Sequence, residues 1–138
     1  MVDIAFLTQP STDEVNQIYR LYCEAGWWTS GVADPALIRR IISGSHCFVI
    51  AVNPDGIIGM GRAISDGASD AYIQDVTVLD GQRGKGIGKK IVQKLVLRLE
   101  SDGLTWIGLI AERGSQNFYK PLGFESMPDA RPMLLERS

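Results

Sequence analysis

Apolar positions change their spacing several times along the chain, and each change predicts an element. Ile4-Ala5-Phe6-Leu7 reads as a short strand stopped by Pro10. Ser11-Thr12-Asp13-Glu14 follows as a capping box, the serine serving the third helical N–H while the glutamate reaches back. Val15, Ile18, Tyr19 and Tyr22 then recur at helical spacing until Gly26 supplies a stop. Asp34-Pro35 opens a second helix, cap then proline at the first helical position. Leu37, Ile38, Ile41 and Ile42 form its buried face, with Gly44 after it. Strands are expected over residues 47–52, 57–64 and 71–79, the second softened by Gly59 and Gly61. Asn53-Pro54-Asp55-Gly56 and Asp66-Gly67 join them as turns, and such short connections imply antiparallel neighbours. On the third strand neither face is cleanly polar, which suits a central strand covered on both sides.

A glycine-rich loop interrupts the pattern after Leu79. A helix resumes with Ile87, Ile91, Val92, Leu95, Val96 and Leu99 as its apolar stripe. Lys89, Lys90, Gln93 and Glu100 lie opposite, and Leu97 is the exception. Gly103 ends this helix and residues 106–111 read as another strand, so strand, helix and strand make a right-handed parallel crossover. Residues 115–122 predict a short helix that Pro121 ends early, and a last strand is expected near residues 133–136. The expected architecture is α/β: a mixed, largely antiparallel central sheet with helices on both faces.

Composition narrows the partners. At 138 residues and 45% hydrophobic, the chain suits one domain, residues 1–138, with a sizeable core. A net charge of −2 disfavours general nucleic-acid binding, because no surplus of Lys and Arg would neutralise phosphates. There is no run of apolar residues long enough to span a membrane. Met1-Val2-Asp3-Ile4 lacks a basic start and an apolar signal segment. Cys23 and Cys47 have neither metal spacing nor a disulfide framework. A cytoplasmic protein without a metal site is expected.

The chemistry concentrates in residues 76–90. An apolar, β-branched run breaks into a loop with Gly84, Gly86 and Gly88 on alternate positions, among Arg83, Lys85, Lys89 and Lys90. Glycine lets a ligand approach the main chain, and the unpaired N–H groups of the following helical turn face that ligand. Together with the helix dipole, these suit a phosphate. A tight turn with lysines solvating a helix end is the plainer alternative. A P-loop would need lysine where Ile87 stands, and a dinucleotide fingerprint would need glycine where Lys89 or Ile91 stands. Both fail.

Arg83-Gly84-Lys85-Gly86-Ile87-Gly88 does resemble the R/Q-x-x-G-x-G/A signature of the GNAT superfamily of acyl-CoA-dependent N-acyltransferases. Downstream, Phe118-Tyr119-Lys120-Pro121-Leu122-Gly123-Phe124 resembles the FY-x-x-LGF segment of the same superfamily. The resemblance covers roughly residues 47–136 and implies an N-acetyltransferase that moves an acetyl group from acetyl-CoA to an amine. The first helices carry no motif of it. It implies that Arg83, Gly84, Lys85, Gly86, Ile87, Gly88 and Lys89 hold the pyrophosphate. The main-chain N–H groups of Val76 and Val78 would hold the acyl carbonyl and pantetheine arm, and Tyr119 would protonate the leaving thiolate. Many relatives have an asparagine opening the short helix, whereas here the stretch is Glu112-Arg113-Gly114-Ser115.

An amine must lose a proton before attack, and the thiolate must gain one. Asp75, flanked by apolar residues, is the candidate base, with Gln74 beside it; Tyr72 or a water chain are alternatives, and holding the strands apart is Asp75's other role. The alternative for Tyr119 is a core aromatic with a satisfied hydroxyl, and the motif context favours the catalytic role. His46 reads as structural, and Cys23 lacks a basic partner. The loop Gly26-Trp27-Trp28-Thr29-Ser30-Gly31 carries two tryptophans that must pack on something. One is expected on the core and the other in the acceptor pocket, where its face would attract an ammonium group. Asp66 and Asp70 would add negative potential at that mouth. A small-molecule amine is the expected acceptor and a homodimer is open; a protein lysine or N-terminal acetyltransferase, and a catalytically silent CoA-binding module, are the alternatives.

Overall fold

The capping residues behave as their chemistry dictates, and the helices start where they stand. In the computed structural model, which describes residues 1–29 and 34–136, Ser11 Oγ accepts from the Glu14 N–H and Glu14 Oε1 from the Ser11 N–H. Asp34 Oδ1 accepts from the Ala36 N–H, with Pro35 at the first helical position. The elements run β1 (Asp3–Phe6), α1 (Thr12–Glu24), α2 (Pro35–Gly44), β2 (Cys47–Asn53), β3 (Gly56–Ser65) and β4 (Asp70–Val78). After the glycine loop come α3 (Ile87–Ser101), β5 (Trp106–Leu109) and α4 (Gln116–Tyr119). A 3₁₀ turn over Lys120–Leu122 ends α4 early, as Pro121 requires.

The sheet has the order β1-β2-β3-β4-β5. The first four strands pair antiparallel and β5 joins β4 in parallel, α3 making the crossover. On one face Ile87, Ile91, Val92, Leu95 and Leu99 of α3 pack on Val49, Ala51, Ile58, Ala63, Ala71 and Ile73. On the other, Val15, Ile18, Leu21 and Tyr22 of α1 and Ile38 and Ile42 of α2 pack on Phe48, Ile50, Ile57 and Met60. The mixed sheet with helices on both faces is therefore the fold.

Two expectations change. The helical layer of α1 and α2 sits over β2 and β3, so β4 is covered on one face only in its first half: Ala71 and Ile73 are buried while Tyr72 and Gln74 are exposed. Residues 133–136 form no strand: the sheet ends at β5 and they pair with none of its strands; the chain after Gly123 carries no helix or strand among the described residues.

The glycines of β3 have a packing role beyond loosening the strand. A Cβ on Gly61 would stand 2.8 Å from Ile91 Cγ2, 3.1 Å from Leu95 Cδ1 and 3.2 Å from Val76 Cγ2. The missing side chain lets α3 lie directly on the strand. Gly61→Val should overpack this contact and cost about 1–3 kcal/mol; urea denaturation showing unchanged stability would refute it.

Candidate active site

The site begins where two strands part. Parallel pairing of β4 with β5 ends at Ile73↔Leu109, whereas β4 continues beside β3 as far as Val78. Between these points the β3 register jumps from Met60↔Thr77 to Arg62↔Gln74, and Asp75 takes φ +58. This is a β-bulge, which bends and twists its strand. Beyond it the Leu79 N–H donates to Ile58 O at 2.9 Å, toward β3. Main-chain N–H groups alternate sides along a strand, so those of Val76 and Val78 turn to the open side.

The bulge is clamped. Asp75 Oδ2 accepts from Arg62 Nε at 2.6 Å and from the Tyr22 hydroxyl at 2.7 Å. Both donors are largely buried, and Tyr22's hydroxyl is pushed well above its ordinary range by burial and then by the Asp75 charge. An oxygen already accepting from a guanidinium and a phenol is ill placed to take a substrate proton. Asp75 lines the cleft, but its contacts favour the strand-holding role over that of base.

After a 3₁₀ turn at Asp80–Gln82, Gly84 and Gly86 both adopt φ +79, Gly86 in the left-handed conformation that precedes α3. A Cβ at either would meet nothing within 4 Å, so open space lies against the backbone there. Among the described residues, the N–H groups of residues 84–89 have no main-chain acceptor; the first to find one is Lys90, on Gly86 O. Arg83 folds onto its own loop, Nε to Val78 O at 3.0 Å and Nη1 to Asp80 Oδ1 at 2.9 Å. Lys85 Nζ donates to Gln82 Oε1. Gly88 has a different reason to be small: its Cβ would press within 3.2 Å of Phe118 Cζ.

A cleft of about 1010 Å³ joins these parts. Val76, Val78, Arg83, Gly84, Gly86, Ile87, Gly88 and Lys89 line it, as do Tyr119, Asp75 and Trp27. Lys85 and Trp28 do not. Trp28 stacks on Tyr22, centroids 4.0 Å apart and planes 9° apart, and so belongs to the core cluster. Trp27 also packs against this cluster, tilted on Tyr22 with centroids 6.0 Å apart, while lining the cleft. Gly31, the second glycine expected to frame their loop, and Ser30 lie outside the described residues. Tyr119 is wedged edge-on between Phe118 and Phe124. Burial and then the Glu112 charge raise its pKa above the ordinary phenol value. Among the described residues its hydroxyl has no hydrogen-bond partner.

Other expected residues lie elsewhere. Asp66 and Asp70 do not line the cleft; Asp66 Oδ1 accepts from the Ala68 and Ser69 N–H groups of its own turn, which lowers its pKa. His46 Nε2 meets Asp102 Oδ2 at 2.7 Å, a structural contact. Burial pushes the Cys47 thiol up. Sequence reasoning missed Arg113 and Asn117, both in the cleft lining. Arg113 takes φ +55 and its Nη1 donates to Ala25 O at 3.1 Å, joining walls 88 positions apart. Only an arginine beside a glycine marked it. Among the described residues no group of three or more His, Cys, Asp or Glu could hold a metal ion, and no helix is long and apolar enough to cross a membrane.

The model of the acetyltransferase (GNAT) domain matches residues 43–126. The chain belongs to the GNAT acetyltransferase family. A histone acetyltransferase of Glycine max is 42% identical over 73 residues, covering 53% of this chain and 32% of that protein. A chloroplastic serotonin N-acetyltransferase of Oryza sativa subsp. japonica is 38% identical over 82 residues, 59% of this chain and 41% of that one. The chain spans less than half the length of such curated relatives. A Staphylococcus aureus crystal structure of unknown function superposes with a TM-score of 0.82 at 23% identity, covering 99% of this chain and all of the other. This last likeness concerns the fold.

Raised tyrosine pKa values set a sign for alkaline stability. Above about pH 10 the tyrosines of the unfolded GNAT chain ionise, while Tyr22 and Tyr119 keep their protons in the fold. The folded state then binds more protons, so stability falls as pH rises, by about 1.4 kcal/mol per pH unit for Tyr22, with Tyr119 acting in the same direction. Tyr22→Phe should cost about 1–3 kcal/mol at neutral pH through the lost bond to Asp75 and should flatten the alkaline decline. Urea melts between neutral pH and the alkaline limb check both; an unchanged alkaline slope would contradict the assignment.

Proposed function

We propose that the chain transfers an acetyl group from acetyl-CoA to the primary amine of a small molecule, by direct attack on the thioester. The observation that carries this is the convergence of two rows of unpaired N–H groups, those of Val76 and Val78 and those of residues 84–89, on the cleft that also holds Tyr119. The glycine-loop row, backed by Arg83 and Lys89, suits a pyrophosphate. The strand row suits a thioester carbonyl whose oxygen gains negative charge during attack. The C–N bond forms as the C–S bond breaks, and the amine's surplus proton leaves to cleft water or to Glu112.

Tyr119 enters as donor to the departing sulfur. A phenol held above its ordinary pKa stays protonated at neutral pH. A thiol ionises near pH 8.5, so outright proton transfer from phenol to free thiolate is uphill. The contribution of Tyr119 is then a hydrogen bond that strengthens as charge gathers on sulfur, and the thiolate takes its proton from solvent as CoA leaves. Trp27 would face the acceptor's ammonium before deprotonation. The histone acetyltransferase relative favours a second reading, a protein lysine as acceptor, whereas the serotonin N-acetyltransferase relative favours a small amine. Cytoplasmic location is part of the proposal, although the latter relative is named as chloroplastic.

Thiol release from acetyl-CoA with a panel of free amines and lysine peptides separates these acceptors, and no release with any of them would leave only a CoA-binding module. Tyr119→Phe should keep CoA affinity and slow turnover by about a hundredfold; equal rates with chemistry limiting would return Tyr119 to packing alone. Arg83→Ala should weaken CoA binding by about tenfold to a hundredfold, from lost charge and a loosened loop. Gly86→Val should block the approach to the backbone outright. Calorimetry showing native affinity in both variants would sink the cradle. Trp27→Ala should raise the acceptor KM while leaving CoA affinity unchanged.

A further inference from the structure

Not every charge that lines the cleft is taken up by its neighbours. Asp75 is held by Arg62 and Tyr22, Arg83 is folded onto its own loop, and Lys89 stands in the first turn of α3 beside the glycines. Glu112 and Arg113 line the cleft as well. Both residues are exposed, and among the described residues neither takes part in an ion pair. Among the described residues Arg113 donates only through Nη1, to Ala25 O at 3.1 Å. Its Nη2 lies 3.5 Å from where a Cβ on Gly26 would stand. A guanidinium carries five N–H groups, so most of this fork is open to a ligand.

The two charges serve different parts of the wall. Glu112 lies near enough to Tyr119 for its charge to raise that phenol's pKa. Arg113 reaches the other way, to the end of α1, where Ala25 and Trp27 line the cleft. Backbone strain accompanies this layout. Arg113 takes φ +55, a left-handed conformation that is costly for a residue with a Cβ, and Gly114 follows at φ +74. Strain of this kind persists only where other contacts hold it, and it clusters at ligand sites. Here the bond to Ala25 O holds it.

We propose that the acceptor is an amino carboxylate and that Arg113 is the residue that selects it. The inference rests on the acyl transfer proposed above and names the class of amine. A planar guanidinium fork matches a carboxylate through two parallel N–H···O bonds. One open cation balances one negative charge, which favours a carboxylate over a phosphate dianion. The ammonium of the same molecule meets the Glu112 charge and the face of Trp27, so each end of the acceptor faces its opposite. A molecule entering the other way round would set its carboxylate against Glu112 and be repelled. Arg113 thereby decides which end reaches the thioester.

The probes are glycine, β-alanine, γ-aminobutyrate and δ-aminovalerate, each beside its amide, which keeps the length and removes the negative charge. Thiol release from acetyl-CoA should favour the acid over its amide by about tenfold or more in kcat/KM at one length or more. Arg113→Gln should bring that ratio to about one by raising the KM of the acid, with CoA affinity unchanged. Arg113→Lys, which keeps the charge and loses the fork, should retain part of the preference. A wall merely loosened by loss of the bond to Ala25 would slow acid and amide alike, and an unchanged ratio in Arg113→Gln would overturn the proposal. So would a native chain that takes every amide as readily as its acid. If no probe is acetylated, the acyl-transfer reading loses these acceptors, and calorimetric titration of the CoA-loaded protein with the same probes decides the site by itself. An acid bound more tightly than its amide by the native chain, and equally by Arg113→Gln, upholds it. No difference at any length, or no acid bound, refutes it.

Discussion

The structure turns on one shared carboxylate oxygen. Asp75 Oδ2 receives the Arg62 guanidinium from β3 and the Tyr22 hydroxyl from α1, and it does so from a residue with left-handed backbone in the middle of a strand. Such a conformation is costly for any residue with a side chain and persists only where surrounding contacts over-determine it. Here they do: a cation and a buried phenol meet at the bulge, and the strand cannot straighten without leaving both behind. Because it cannot straighten, β4 and β5 stay apart after Ile73, and the N–H groups of Val76 and Val78 remain without a ladder.

Everything else at the cleft is arranged around that opening. α3 can supply its first-turn N–H groups near the splay because Gly61 lets the helix sit on β3. Tyr22 carries the constraint further: its carbonyl accepts from the N–H groups of Trp27 and Trp28, and its ring supports the Trp28 stack. One tyrosine thus joins the bulge to the wall that bears Trp27. Arg113 closes the circuit from the opposite side, reaching Ala25 from the segment before α4.

Local chemistry was legible in the sequence and long-range commitment was not. The capping box at Ser11, the Asp34-Pro35 start and the glycine loop depend on neighbours a few residues away, and each lies where those neighbours put it. The stripe of α3 was readable down to its exception, since Leu97 is exposed. Asp75 was visible as a carboxylate among apolar residues, but its partners stand 13 and 53 positions away, and no local pattern names them. Asp66 failed for the opposite reason: its own turn consumes its oxygens before any ligand could. Residues 133–136 show the limit of periodicity, because a strand is a property of two segments and the sequence displays one at a time.

The contact between Gly88 and Phe118 has a consequence for length. It seats the first turn of α3 against α4 at the spot where a side chain is missing, and Tyr119 is the next residue along. The span from the loop amides to the phenol is therefore a gauge whose setting is one absent methyl group. Any ligand that touches both ends must match that span, and a larger residue at position 88 would reset it by pushing on Phe118.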